Sequence, residues 1–125
     1  MNVNLGTLKN LLLQNVCEIK FSRRRPVPGK PLTRRMLCTN SFQLLNSTNG
    51  RLALNYRPAV NRPAYNPTAY NIIITWDLFM QDYRCISMDQ CELITLIPAN
   101  ELFWKYFREK LQYMSPQEKL SFMNQ

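Results

Sequence analysis

Eight prolines divide this chain of 125 residues into stretches that no single helix or central strand can cross. Proline lacks the amide proton a ladder needs, and its ring clashes with the preceding helical turn. Pro26, Pro28 and Pro31 mark one break, Pro58, Pro63 and Pro67 a second, Pro98 a third and Pro116 a fourth. Short elements must fill the intervals, and the hydrophobic period of each interval decides which kind it holds.

Leu5, Leu8 and Leu12 recur at helical spacing behind Asn4, a good N-cap, and predict a helix over residues 5–14. From Val16 to Ser22 the pattern alternates, with Cys17, Ile19 and Phe21 on one face and Val16, Glu18 and Lys20 on the other, as in a half-buried strand. Residues 24–32 must be a loop, and Thr33 to Thr39 reads as a second strand with Met36 and Cys38 buried and Arg35 opposite. Ser41 caps a turn of helix through Phe42, Leu44 and Leu45, Asn49-Gly50 signals a turn, and Arg51 to Asn55 suits a short strand. The Pro/Tyr/Asn-rich remainder of residues 40–70 reads as an extended surface excursion.

Asn71 to Asp77 is the clearest strand, being β-branched and aromatic throughout. A turn over Leu78 to Gln81, a return strand from Asp82 to Ile86, a tight connection at Ser87-Met88-Asp89 and a strand from Cys91 to Ile97 follow. After Pro98 the period changes. Asn100 caps a helix striped by Leu102, Phe103, Tyr106, Phe107 and Leu111, and Ser115-Pro116-Gln117-Glu118 is a capping box that opens a terminal helix. The tally is mainly β with flanking helices: one domain holding a small, strongly bent antiparallel barrel over residues 15–97 and helices over 98–125.

Charge is distributed unevenly. The net charge is +8, yet residues 1–62 hold eleven bases against the single acid Glu18, whereas residues 63–125 hold five bases against seven acids. A one-sided positive field attracts polyanions, of which nucleic acid is the commonest in a cell; a solvated basic loop is the bland alternative. No apolar run exceeds three residues in Leu11-Leu12-Leu13 or Ile72-Ile73-Ile74, far short of a membrane span. Lys9, inside the apolar pattern of the first residues, argues against a secretory signal.

Several chemistries lack their parts. There is no histidine, and three glycines (Gly6, Gly29 and Gly50) cannot build a phosphate-cradling loop or a dinucleotide fingerprint. Asp77 and Asp82 could bind a cation or work as an acid/base pair, but turns select aspartate for their own hydrogen bonds. Cys17, Cys38, Cys85 and Cys91 contain no C-x-x-C pair, so reduced thiols are expected, without zinc or another cofactor. These absences argue against an enzyme.

The order of elements, with "NVCEIKFSR", "TRRMLCT" and "IIITWDLFMQDYRCISMDQCELI", resembles a family of small tailed-phage proteins described as WYL-like, with an Sm-like, SH3-type β-barrel. Arg35-Met-Leu-Cys38-Thr39, Trp76-Asp77 and Arg84 match, and the resemblance runs from Leu8 to about Ile97. The Trp-Tyr-Leu signature of the wider group is absent, so its ligand pocket is not carried over. The resemblance implies a phage-encoded barrel in the cytoplasm of the infected bacterial host, of a kind that binds nucleic acid or a small effector, or regulates transcription.

Nucleic-acid binding, with single-stranded DNA or RNA favoured, is the leading expectation. Its phosphate ligands are Arg23, Arg24, Arg25, Lys30, Arg34 and Arg35, extended by Arg51, Arg57 and Arg62, with Tyr56, Tyr65 and Tyr70 as stacking aromatics. Six neutralised phosphates would give a log–log salt slope of about −4 to −5. The alternative is a regulator that docks on a host enzyme such as RNA polymerase through its C-terminal helix. Homo-oligomers formed by pairing edge strands are a third possibility.

Overall fold

A computed structural model describes residues 3–23, 27–58, 67–88 and 91–124. Helix α1 (Leu5–Gln14) begins where Asn4 Oδ1 accepts from Thr7 N at 2.8 Å, and Leu8 and Leu12 bury its inner face. It ends without a loop. Asn15 turns to extended backbone, and its Nδ2 donates to the Leu11 carbonyl at 3.0 Å, satisfying one of the last-turn oxygens a helix leaves open.

Five strands follow: β1 (Asn15–Ser22), β2 (Thr33–Thr39), β3 (Ile72–Asp77), β4 (Asp82–Ser87) and β5 (Glu92–Pro98). They form one antiparallel sheet in the order β4-β3-β2-β1-β5. The β1–β2 register sets Cys17 opposite Cys38, Ile19 opposite Met36 and Phe21 opposite Arg34, so these six side chains share a face. α1 covers that face, and Leu8, Leu12, Ile73 and Ile86 complete its core.

The opposite face is buried too at its inner end. Val16, Leu37 and Trp76 meet Leu44, Leu45 and Phe103 there in a second core. Strict alternation predicted solvent beside Val16, but the helices α2 (Phe42–Leu45) and α4 (Glu101–Tyr106), and Leu54 at the end of α3 (Thr48–Ala53), supply side chains to that surface. Thr39, wholly buried, pins the junction: its hydroxyl lies 2.8 Å from the Asn15 carbonyl and accepts from Ser41 N at 3.0 Å.

Three expectations need correcting. The sheet is open rather than closed into a barrel, with β4 and β5 at its edges, and helix outweighs strand, so the architecture is mixed rather than mainly β. The two halves of the sheet meet along a short line: β2 and β3 are in register only at Cys38↔Asp77 and Thr39↔Trp76. Leu78 N, donating to the Leu37 carbonyl at 3.0 Å, and Asn40 Nδ2, donating to the Ile74 carbonyl at 3.0 Å, flank these pairs.

Secondly, Arg51 to Asn55 is not a strand, because α3 runs through Asn49-Gly50 to Ala53 under a Ser47 cap that accepts from Gly50 N at 2.9 Å. Gly50 is there for close approach: a Cβ would sit 2.0 Å from the Leu44 carbonyl oxygen and 2.6 Å from that of Leu45. Thirdly, the stripe of the C-terminal helix loses one member: Phe103, Tyr106, Phe107 and Leu111 pack in the second core as expected, but Leu102 does not. Leu102 is 57% exposed, while Phe103 and Leu111 are buried and Trp104 is packed beside them.

The alignment of the rest of the stripe has a backbone cause. Phe103, Phe107 and Leu111 repeat every four residues, which drifts by about 40° per step on a regular helix. After α4 the chain widens into a π turn (Phe107–Leu111), in which Gln112 N donates to the Phe107 carbonyl at 2.8 Å, and the widening brings Leu111 back onto the core. Helix α5 (Pro116–Met123) starts at the expected capping box and lays Phe122 edge-on against Phe79, centroids 5.1 Å apart. No helix among the described residues is long and apolar enough to cross a membrane.

Candidate nucleic-acid interface

The face of the sheet that carries Phe21 and Met36 continues outward into charge. β2 places Arg34 two residues before Met36, and the Cys38↔Asp77 pairing brings Asp77 of β3 to the same face. Arg34 Nη2 lies 2.5 Å from Asp77 Oδ2, with Arg34 11% and Asp77 1% exposed in their side chains. Asp77 also holds the following turn, its Oδ1 accepting from Phe79 N at 3.0 Å and Met80 N at 3.1 Å. Among the two aspartates, Asp77 is thus a buried structural anion. Asp82 is exposed and accepts from its neighbour Tyr83 N at 2.8 Å, as turn chemistry leads one to expect.

Two further arginines converge on this pair. Arg84, opposite Thr75 on β4, has its Nε 3.9 Å from Asp77 Oδ2 and a side chain 38% exposed. Arg23, just beyond β1, donates through Nε to the Pro31 carbonyl at 2.9 Å and through Nη2 to Asn124 Oδ1 at 2.9 Å. Burial pulls the Arg34 guanidinium below its ordinary value, Asp77 draws it back up, and Arg84 and Arg23 lower it again.

Arg23, Lys30, Arg34 and Arg84 line a cleft of about 270 Å³, with Met80, Leu120 and Met123 as its apolar wall and Asn124 at its rim. Four bases against one committed carboxylate leave three positive charges in excess. The end of β1, the β1–β2 loop, β2, the β3–β4 hairpin and α5 all contribute, so the cleft exists only in the folded chain.

Of the residues expected at an anion site, Arg23, Lys30 and Arg34 come together here. Arg35 does not. Adjacent strand residues point to opposite faces, and Arg35 lies across the sheet from Arg34, 3.6 Å from Glu18 Oε2. Arg51 sits exposed on α3 and donates to Asn46 Oδ1 at 3.3 Å. Arg57 lines a different pocket, beside Asn55, Trp76 and Tyr83.

Tyr56 is buried, 6% exposed, with its hydroxyl 2.6 Å from that of Tyr83 and its ring edge-on to Trp76, so it pins the excursion to the second core. Tyr70 is 67% exposed. Arg24, Arg25, Arg62 and Tyr65 lie outside the described residues.

Arg84 is the base that the charge run hid, because it lies in the half of the sequence where acids outnumber bases. The signal was available: counting back across the Leu78–Gln81 turn pairs Asp82 with Asp77 and puts Arg84, two residues on, on the same face.

The thiols stand apart from the cleft chemistry. Burial pushes Cys17 up to about 12 and Cys91 up to about 11, and raises Cys38 well above its ordinary value, so all three remain protonated at neutral pH. The described residues hold no group of three or more His, Cys, Asp or Glu side chains placed to bind a metal ion. No protein-family model, curated protein or solved structure matches this chain, which leaves the basic cleft to carry the functional reading.

Proposed function

We propose that this chain is a non-enzymatic, phage-encoded nucleic-acid-binding protein, regulatory in role and acting in the cytoplasm of the infected host. The observation that carries the binding reading is the cleft in which Arg23, Lys30, Arg34 and Arg84 converge around one buried carboxylate. Guanidinium forks match phosphate oxygens in pairs, and a site formed by folding holds them in place before the anion arrives. The strand order β4-β3-β2-β1-β5 behind an N-terminal helix supports kinship with Sm-like sheets, in an open form. The competing reading, docking on a host enzyme through the C-terminal helix, draws less support because Phe103 and Leu111 of its stripe are already buried.

Fluorescence anisotropy of labelled single-stranded DNA, single-stranded RNA and duplex DNA at two salt concentrations tests the proposal. Single strands should bind best. Because the cleft gathers about three uncompensated bases rather than six, the log–log salt slope should be about −2 to −3. Binding that shows no preference among the three forms and disappears near physiological salt refutes the reading.

A further inference from the structure

We infer that the cleft recognises a terminal phosphate monoester on a nucleotide, at the end of a strand or on a free nucleotide, rather than the phosphodiesters within a chain. This rests on the nucleic-acid reading above and names the ligand of the same site. Four features carry it.

The first is size. At about 270 Å³ the cleft lies below the ~300–1,000 Å³ typical of small-molecule sites, and it has room for one nucleotide rather than a run of them.

The second is closure. The β3–β4 turn bounds the cleft through Met80, and the C-terminal end of α5 bounds it through Leu120, Met123 and Asn124. Among the described residues the other expected bases do not prolong it: Arg35 is on the opposite face, Arg51 is on α3 and Arg57 lines another pocket. Among the described residues a polyanion passing through would meet no track.

The third is charge density. Three positive charges in excess around one point suit a monoester, which carries about −1.5 to −2 and three terminal oxygens, better than a diester with a single charge. Arg84 also reaches the cleft with its side chain 38% exposed, and its Nε lies 3.9 Å from Asp77 Oδ2, beyond hydrogen-bonding distance.

The fourth is the wall. Met80 and Leu120 are 47% and 46% exposed directly beside the bases. Such a surface gains nothing from a bare inorganic anion. It can take the face of a sugar or base, with methionine adapting to its shape.

The test compares one short single-stranded oligonucleotide bearing a 5′-phosphate, a 3′-phosphate or no terminal phosphate, by anisotropy at fixed salt. A nucleoside monophosphate, the matching nucleoside and a phosphoserine peptide serve as competitors. The phosphorylated end should bind about tenfold tighter than the unphosphorylated strand, and the monophosphate should compete where the nucleoside does not. A monophosphate as effective as the phosphorylated strand identifies a free nucleotide as the ligand, and a weaker one identifies a strand end; both support the inference.

Arg84→Gln, at a partly exposed position, should abolish the preference while far-UV circular dichroism stays unchanged. Equal affinity for phosphorylated and unphosphorylated strands overturns the inference and leaves the proposed function standing. Equal competition by the phosphoserine peptide also overturns it, and failure of every oligonucleotide to bind overturns both.

Discussion

Asp77→Asn separates the two duties of the buried aspartate. The amide keeps an oxygen for Phe79 N and Met80 N, so the turn retains its acceptor, but the charge facing Arg34 is gone. Arg34, with 11% of its side chain exposed, is then a nearly buried cation facing the like charges of Arg84 and Arg23. Removing one member of a buried pair costs about 3–5 kcal/mol, and the residual exposure and the remaining amide oxygen put this case near 3. With a urea m-value of about 2 kcal/mol/M for a chain of this size, the unfolding midpoint should fall by about 1.5 M.

Arg34→Met is the complementary change. It leaves Asp77 with Arg84 and two turn amides and should cost about 1–2 kcal/mol. The double variant should therefore be less destabilised than the sum of the singles, with a coupling of about 2 kcal/mol read from urea denaturation followed by circular dichroism. A midpoint for Asp77→Asn within about 0.3 M of the parent protein would refute the assignment of this pair as the fastening of the cleft.

Gly50→Ala should be destabilising by about 2–3 kcal/mol in thermal or urea unfolding, although helix propensity alone makes it stabilising by about 1; a gain in stability would mean that α3 does not press on the Leu44 and Leu45 carbonyls. The buried thiols set an alkaline limit. Their pKa values are raised on folding, from 9.0 to about 12 for Cys17 and about 11 for Cys91, so their contribution is complete below about pH 9 and is lost as pH climbs through the folded values. Urea midpoints measured between about pH 8 and 10.5 should fall, and Cys17→Ala should flatten the decline; a flat profile in the parent protein would contradict the burial. In the native protein a thiol reagent should label Cys85 rapidly and Cys17, Cys38 and Cys91 only on unfolding, so fast reaction of more than one thiol would show that the sheet opens readily.

The elements written in local signals are legible in the sequence. Asn4 with Leu8 and Leu12 defines α1, Ser115-Pro116-Gln117-Glu118 defines the start of α5, and the alternation around Ile19 defines β1. What escaped depends on distant partners. Asn49-Gly50 looks like a turn because the reason for glycine is a carbonyl in the preceding helix, several residues back and visible only after packing. Tyr56 looks like a surface aromatic because its partners, Trp76 and Tyr83, lie in a hairpin beyond the proline-rich stretch.

The cleft was half legible. Charge density pointed to Arg23, Lys30 and Arg34, but the same run of bases obscured the alternation that sends Arg35 to the other face. It also drew attention away from Arg84, whose register to Asp77 was countable across a four-residue turn.

The short joint between β2 and β3 has a consequence for how the molecule opens. Strands β1 and β2 are in register at seven positions and β3 and β4 at six, whereas the two ladders touch at only two positions. Native-state hydrogen exchange should therefore resolve two cooperative units, with the hairpin amides exchanging as a block. Arg34 belongs to one unit, and Asp77 and Arg84 to the other. Any anion held in the cleft bridges both, so occupancy ties the units together, and exchange should slow at amides of the hairpin that the ligand never touches.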